Sequence, residues 1–377
     1  MRRAVWVMLV FFAWLEAGIS DRQIANLFIL GFEGGKLTPQ SLIVRDICAR
    51  GLGGVILFKK NVSNPRQLRA LTGQLSQCPH RPLIAVDQEG GTVRRIRFGQ
   101  AYPRASQVAR MGTQAARGIY ERMAGELQDL GINYNLAPVA DLDIEPRNYI
   151  IHKLGRSYGA DPKTVIAYNT VFIRAMHHHH VLTALKHFPG HGSSLGDTHR
   201  GFVDVTQQWH KAELRPFFNQ RADSVMVAHV VNESLSEPGR PASLSPRAIR
   251  ALRRGNPGVV VITDDLQMGA IRKHYSTKET IRLALKAGDD LLLFGNQLSR
   301  KDKVNTAQLI AIVRALIAED PGIEQAVRRA NRHIARMRRR IRLFDGRANP
   351  RPVKKPSSRH HPAHEPTHFS QDDGVNF

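Results

Sequence analysis

Cysteine is nearly absent: 377 residues contain two, Cys48 and Cys78. Neither lies in a CxxC pair or any zinc-ligand spacing, which excludes a zinc ribbon, a thioredoxin-type redox motif and a disulfide-dense scaffold. The two could form one bridge if the chain is exported, or stay as separate thiols on helices; the sequence leaves both open. Long apolar runs are equally scarce. The longest, Ala4–Leu15, follows Arg2 and Arg3 and precedes the small residues Ala17, Gly18 and Ser20. Twelve apolar residues suit the core of a signal peptide and are too few for a membrane-spanning helix. Residues 1–20 are therefore read as an export signal, with an uncleaved anchor or a buried helix as alternatives, and no other segment approaches a membrane span. Acidic residues are outnumbered, 32 against 55 Lys and Arg, for a formal charge of +23. That excess favours polyanionic surroundings such as an acidic wall polymer, anionic lipid or nucleic acid, and carries no information on fold.

What the sequence does have is alternation. Short apolar runs at Leu27–Phe32, Gly54–Phe58, Leu83–Val86, Tyr134–Leu136, Leu182–Leu185, Ser224–Ala228, Val259–Thr263 and Asp290–Phe294 read as strands. Between them, Gln67–Leu75, Gly118–Leu130, Pro162–Met176, Pro246–Leu252 and Lys278–Ala287 carry apolar residues at helical spacing. Eight strand–helix units in one stretch predict a single α/β domain over residues 21–345, a closed (β/α)8 barrel of TIM type, with a doubly wound sheet as runner-up. Lys303–Ile317 and Ile323–Phe344 read as closing helices, the second amphipathic with an Arg-rich outer face. From residue 346 to 377 Pro, His, Lys and Arg dominate without apolar periodicity, and the segment is read as a disordered basic tail.

Three segments carry chemistry. Lys186-His187-Phe188-Pro189-Gly190-His191-Gly192, with Asp197 and His199 beyond it, follows the fifth strand and so belongs to the active-site end of a barrel. Its glycines suggest a mobile lid. Asp197, two residues before His199, can hydrogen-bond one ring nitrogen and support an imidazole that gives and takes a proton. Val259–Thr263 ends in Asp264 and Asp265, which places a carboxylate at a strand mouth, suited to attack on an anomeric carbon or, more blandly, to helix capping or metal binding. Leu83–Val86 ends in Asp87, followed by a Gly pair and Arg94, Arg95 and Arg97; Asp87 can accept hydrogen bonds from sugar hydroxyls while an Arg supplies donors. Four histidines, His177 to His180, close a helix. Successive helical residues point about 100° apart, so they are read as polar decoration rather than a metal site.

Together these segments resemble glycoside hydrolase family 3, in its bacterial β-N-acetylglucosaminidase branch. The likeness runs from about Leu27 to Ile317 through Gly54–Phe58 with Asn61, Val86–Gly91, Leu136–Asp141, Gly155–Gly159, Lys186–Gly192 with Asp197 and His199, Met226–Val230, Ala242–Ser245 and Thr263–Leu266. The resemblance implies retaining, two-step release of terminal N-acetylglucosamine from peptidoglycan fragments or chitin-like oligosaccharides. Asp264 would be the nucleophile and His199, supported by Asp197, the acid/base. Asp87, Arg95, Arg156, Lys186 and His187 would bind the sugar. No metal and no cofactor is expected, and the chain is expected to act as a monomer. Residues Ser193 to Gly196 depart from the branch, where another Asp-Thr pair is common, and so does the loop Asp141–Leu154. A β-glucosidase, a phosphorolytic N-acetylglucosaminidase and a non-catalytic wall-sugar-binding protein remain alternatives. Specific nucleic-acid binding is not expected, because no aromatic-interleaved basic groove accompanies the charge. An anionic wall polymer held by the basic helix and tail is the partner that the charge favours.

Overall fold

A computed structural model describes residues 18–198, 201–218 and 220–345, with side chains through residue 340. The export signal falls on residues 1–17 for the most part, and the tail on 346–377; both lie outside the described residues. Ile19 and Ser20 do not. Ile19 is buried, and Ser20 caps the first helical turn, Asp21–Ala25, through a reciprocal pair with Gln23, so the folded body starts before residue 21.

Eight parallel strands form one sheet: β1 (Phe28–Gly31), β2 (Gly54–Leu57), β3 (Leu83–Val86), β4 (Tyr134–Asn135), β5 (Leu182–Phe188), β6 (Ser224–Val227), β7 (Val260–Thr263) and β8 (Leu292–Phe294). Each pairs with its neighbour in chain order, β8 pairs with β1, and the bridge Ile262–Leu291 joins the β7 and β8 segments. Strands buried on both faces need continuous apolar runs, and that is what the sequence supplies. The expected barrel is therefore present. Seven longer helices surround it: α1 (Pro65–Ser76), α2 (Ala105–Asp129), α3 (Pro162–His178), α4 (Pro246–Gly255), α5 (Thr277–Ala287), α6 (Thr306–Glu319) and α7 (Pro321–Asp345). Several start at a side-chain cap followed by proline, as at Asn64, Asp161 and Ser245, because the first turn leaves N–H groups for the cap to satisfy and proline has none to lose.

The barrel interior is filled by Ile29, Ile56, Leu83, Tyr134, Leu182, Met226, Ile262 and Leu293, among others, and Ile334 and Met337 of α7 belong to the same cluster. Helix α7 thus closes the N-terminal end of the barrel. Its arginines are not uniformly an outer face. Arg338 is buried and donates to the carbonyls of Gly53 and Arg81 just before β2 and β3, whereas Arg332, Arg336, Arg339 and Arg340 are exposed. Cys48 and Cys78 are bonded to one another, with Cα atoms 4.8 Å apart, which decides between the two cysteine readings.

Candidate active site

Active-site residues of a (β/α)8 barrel gather at the C-terminal ends of its strands. There a cavity of about 210 Å³ is lined by Asp87, Glu89, Arg95, Arg156, Lys186, His187, His191, Thr198, Asp264 and Asp265, over a floor that includes Ile56, Leu136, Met226 and Leu293.

The strand β3 delivers Asp87. Gln88, buried behind it, accepts the backbone N–H groups of Arg95 at 3.0 Å and Ile96 at 3.2 Å and so folds the following hairpin back. The return brings Arg95 to donate to Asp87 at 3.0 Å. Lys186 arrives from β5 and lies between two carboxylates, 2.9 Å from Asp87 and 2.6 Å from Glu89. Arg156 comes from the loop after β4 and donates to both oxygens of Glu89 at 2.8 Å. These are charge-assisted contacts in a dry site, where paired charges are strongly coupled. Burial opposes ionisation of Glu89, yet Arg156 and Lys186 outweigh it and pull its carboxyl down to about 2. Asp87 is held well below the usual carboxylate range, with burial again overcome by Lys186 and Arg95. Burial likewise disfavours the Lys186 ammonium, and Asp87 and Glu89 raise its pKa regardless. The network is locked in its charged form.

His187 is oriented from behind. Its Nδ1 is 2.6 Å from the buried carboxylate of Asp141, which also accepts the backbone N–H of His187 at 3.2 Å and of His191 at 2.8 Å. With Nδ1–H donating to Asp141, Nε2 faces Arg156 at 3.4 Å. His191 is buried against His187, and burial first, then the neighbouring ring, lowers its pKa to about 4.

Asp264 follows β7 directly; its backbone N–H donates to Val227 at 3.1 Å, and its carboxylate accepts the N–H of Asp265 at 2.8 Å. Asp265 turns inward and accepts the N–H groups of Gln267 at 3.1 Å and Gly295 at 3.0 Å. His229 fixes this turn from β6, with Nε2 3.0 Å from the Asp265 carbonyl and Nδ1 2.7 Å from the Ser243 hydroxyl. The two acids therefore differ: Asp264 lines the cavity, and Asp265 additionally ties the strand-end turn to Gly295 after β8.

The lid expected from Lys186 to His199 is anchored over its first part, Lys186 to Ser194. Lys186, His187 and Phe188 belong to β5, and His191 to Ser194 are buried. Glu213 accepts the N–H groups of Gly192 at 3.1 Å and Ser193 at 3.2 Å, and Asn148 donates to the His191 and Gly192 carbonyls. Gly192 is needed for close approach rather than for mobility, since a Cβ there would overlap the Leu142 carbonyl. Leu195 and Gly196 are the exposed part of the segment. Asp197 is half-buried beside them and is not in the cavity wall, while Thr198 is. His199 lies outside the described residues.

Of the residues singled out in the sequence, Asp87, Arg95, Arg156, Lys186, His187 and Asp264 thus share one cavity. Glu89, Asp141, His191, Glu213 and His229 were given no role there. Glu89 had a signal: three cations converging on Asp87 alone leave uncompensated charge, which burial does not tolerate.

Residues 20–333 match the glycosyl hydrolase family 3 N-terminal domain. The chain belongs to that family. Its relatives include the β-hexosaminidase of Stenotrophomonas maltophilia strain K279a, 34% identical over 289 residues, which span 71% of this chain and 82% of the relative. The β-hexosaminidase of Xylella fastidiosa strain 9a5c is 33% identical over 315 residues, spanning 76% and 91%. Among solved structures, the family 3 β-N-acetylglucosaminidase of Paenibacillus sp. FPU-7 superposes with a TM-score of 0.77 at 29% identity, covering 86% of this chain and 63% of that longer enzyme. The β-N-acetylhexosaminidase of Beutenbergia cavernae superposes at 0.73 with 27% identity, covering 85% and 98%. This family 3 barrel keeps its relatives' architecture over nearly its full described length.

Proposed function

We propose that this family 3 barrel is a retaining exo-β-N-acetylglucosaminidase acting on terminal N-acetylglucosamine of peptidoglycan fragments or chitin-like oligosaccharides. The observation that carries the reading is Asp264 at the mouth of β7, in one cavity with the Asp87–Lys186–Glu89–Arg156 network. A cavity of about 210 Å³ suits a single sugar ring with a small substituent better than a polymer segment, which favours action at a chain end.

In this reading Asp87, Arg95, Arg156, Lys186 and His187 engage the ring's hydroxyls. Asp264 attacks the anomeric carbon as the glycosidic bond breaks, forming a covalent glycosyl-enzyme. His199, supported by Asp197, protonates the leaving oxygen and then removes a proton from the incoming water. Thr198, its neighbour in sequence, lines the cavity. The Cys48–Cys78 bond suits an oxidising compartment and so supports export by the N-terminal segment.

The test is chromophore release from an aryl β-N-acetylglucosaminide, with an aryl β-glucoside as control and phosphate added in a third arm. Turnover of the N-acetyl substrate that falls by about 10³-fold or more in Asp264→Asn and in His199→Ala is the expected result. Preference for the glucoside, or a glycosyl phosphate as product, would replace the specificity or the acceptor. Wild-type turnover in Asp264→Asn would remove the nucleophile assignment.

A further inference from the structure

We propose that Glu121, His178 and His179 form a binding site for a zinc-like divalent cation at the N-terminal end of the barrel, between α2 and α3. In a continuous helix, adjacent histidines diverge. Here α3 stops at His178, and His179 leaves helical geometry with φ −98° and ψ 19°. The two rings meet edge to face at 5.0 Å and both turn towards Glu121 on α2. His178 Nδ1 is 2.8 Å and His179 Nε2 is 3.1 Å from the same oxygen, Glu121 Oε2. The three candidate ligand atoms lie within 4.8 Å of one another. Gly125, one turn beyond Glu121, makes room: a Cβ there would press on His179 Cε1 at 3.3 Å. The polar-decoration reading of the histidine run is therefore incomplete, because the helix end and a carboxylate from a second helix do what four helical histidines cannot.

Gln128 adds an outer partner to the site. His179 Nδ1 is 3.1 Å from Gln128 Oε1, an oxygen that only accepts. In the tautomer that donates Nδ1–H to Gln128, Nε2 keeps the lone pair that a metal ligand needs. Gln128 meanwhile supplies what a metal-binding imidazole ordinarily has, a partner on its other nitrogen that fixes tautomer and ring orientation. Two imidazoles and one carboxylate suit zinc, with a fourth position left to water. The site lies at the end of the barrel opposite Asp264 and ties two neighbouring helices, so bound metal would stabilise the fold by mass action rather than take part in turnover.

The experiment uses the full chain, freed of metal with a chelator, and zinc chloride titrated calorimetrically and during thermal unfolding. Wild type is expected to bind one zinc at this site and to gain in Tm. Glu121→Gln keeps every histidine, including the rest of the run and those of the C-terminal residues, so it separates this site from adventitious histidine binding. It should weaken that zinc at least tenfold and abolish the Tm gain. Gln128→Ala removes no ligand and should weaken binding about tenfold through the ring orientation alone, which keeps the test open if Glu121→Gln misfolds. Wild-type affinity in Glu121→Gln, or unaltered binding in Gln128→Ala, overturns the proposal.

Discussion

Arg156 and Glu89 face one another through two parallel contacts of 2.8 Å, both side chains almost withdrawn from water. Since Lys186 shares the same carboxylate, Glu89 is what allows two cations to be buried together. Glu89→Gln leaves both without that charge. Breaking a buried pair from one side costs roughly 3–5 kcal/mol, so a lower urea midpoint and a fall in kcat/KM of at least a hundredfold are expected. Wild-type stability in this variant would show that Asp87 alone balances the site.

Acid stability should fall in two stages. His191 takes a proton in the unfolded chain near its ordinary 6.5, but in the fold only near 4, so the unfolded state binds more protons in between. Stability is then full above about pH 6.5 and declines as pH drops towards 4, by roughly 2–3 kcal/mol from this group. Glu89 adds a second decline from its ordinary 4.5 down to about 2. Urea midpoints at pH 7, 5.5 and 4.5 check the first stage, and His191→Gln should flatten it.

Gly192→Ala should damage turnover more than folding. The added methyl meets the Leu142 carbonyl and displaces the segment that leads to Asp197. A misplacement of about 1 Å near a reacting group costs on the order of a hundredfold, so kcat should drop steeply while a folded circular dichroism spectrum persists. Gly201→Ala, whose Cβ meets nothing within 4 Å, is the matched control and should behave as wild type.

Reduction of Cys48–Cys78 should destabilise the barrel without touching the pocket. The bond closes a loop with a sequence separation of 30, worth about 3–4 kcal/mol in unfolded-chain entropy. Cys48→Ser/Cys78→Ser should lower the urea midpoint accordingly and leave KM unchanged. A dithiothreitol-insensitive midpoint in the wild type would mean that the bridge contributes nothing.

The barrel was legible because parallel strands buried on both faces have few ways to be written other than short apolar runs. Boundaries were harder where chemistry intrudes. Strand β5 continues through Lys186 and His187, whose polar side chains look like loop residues but lie at the strand's catalytic end. Helix α2 starts at Ala105 instead of Gly118, since Gly112, with φ +84°, interrupts the periodicity that would have revealed its first turns. In the site, residues at strand mouths such as Asp87 and Asp264 were readable from position. Asp141, Glu213 and His229 act from behind, through backbone N–H and carbonyl groups, and no spacing along the chain betrays such contacts.

Helix α7 closes the floor of the barrel with Ile334 and Met337, and its exposed arginines Arg336, Arg339 and Arg340 gather at that floor. Asp264 opens at the other pole. A polyanion bound to those arginines would sit away from the cavity mouth by the whole height of the barrel. Were a polyanion the partner there, grip and cleavage would fall at opposite ends of one axis, and a molecule anchored by that end would present its pocket outward, to loose chain ends rather than to the strand that holds it.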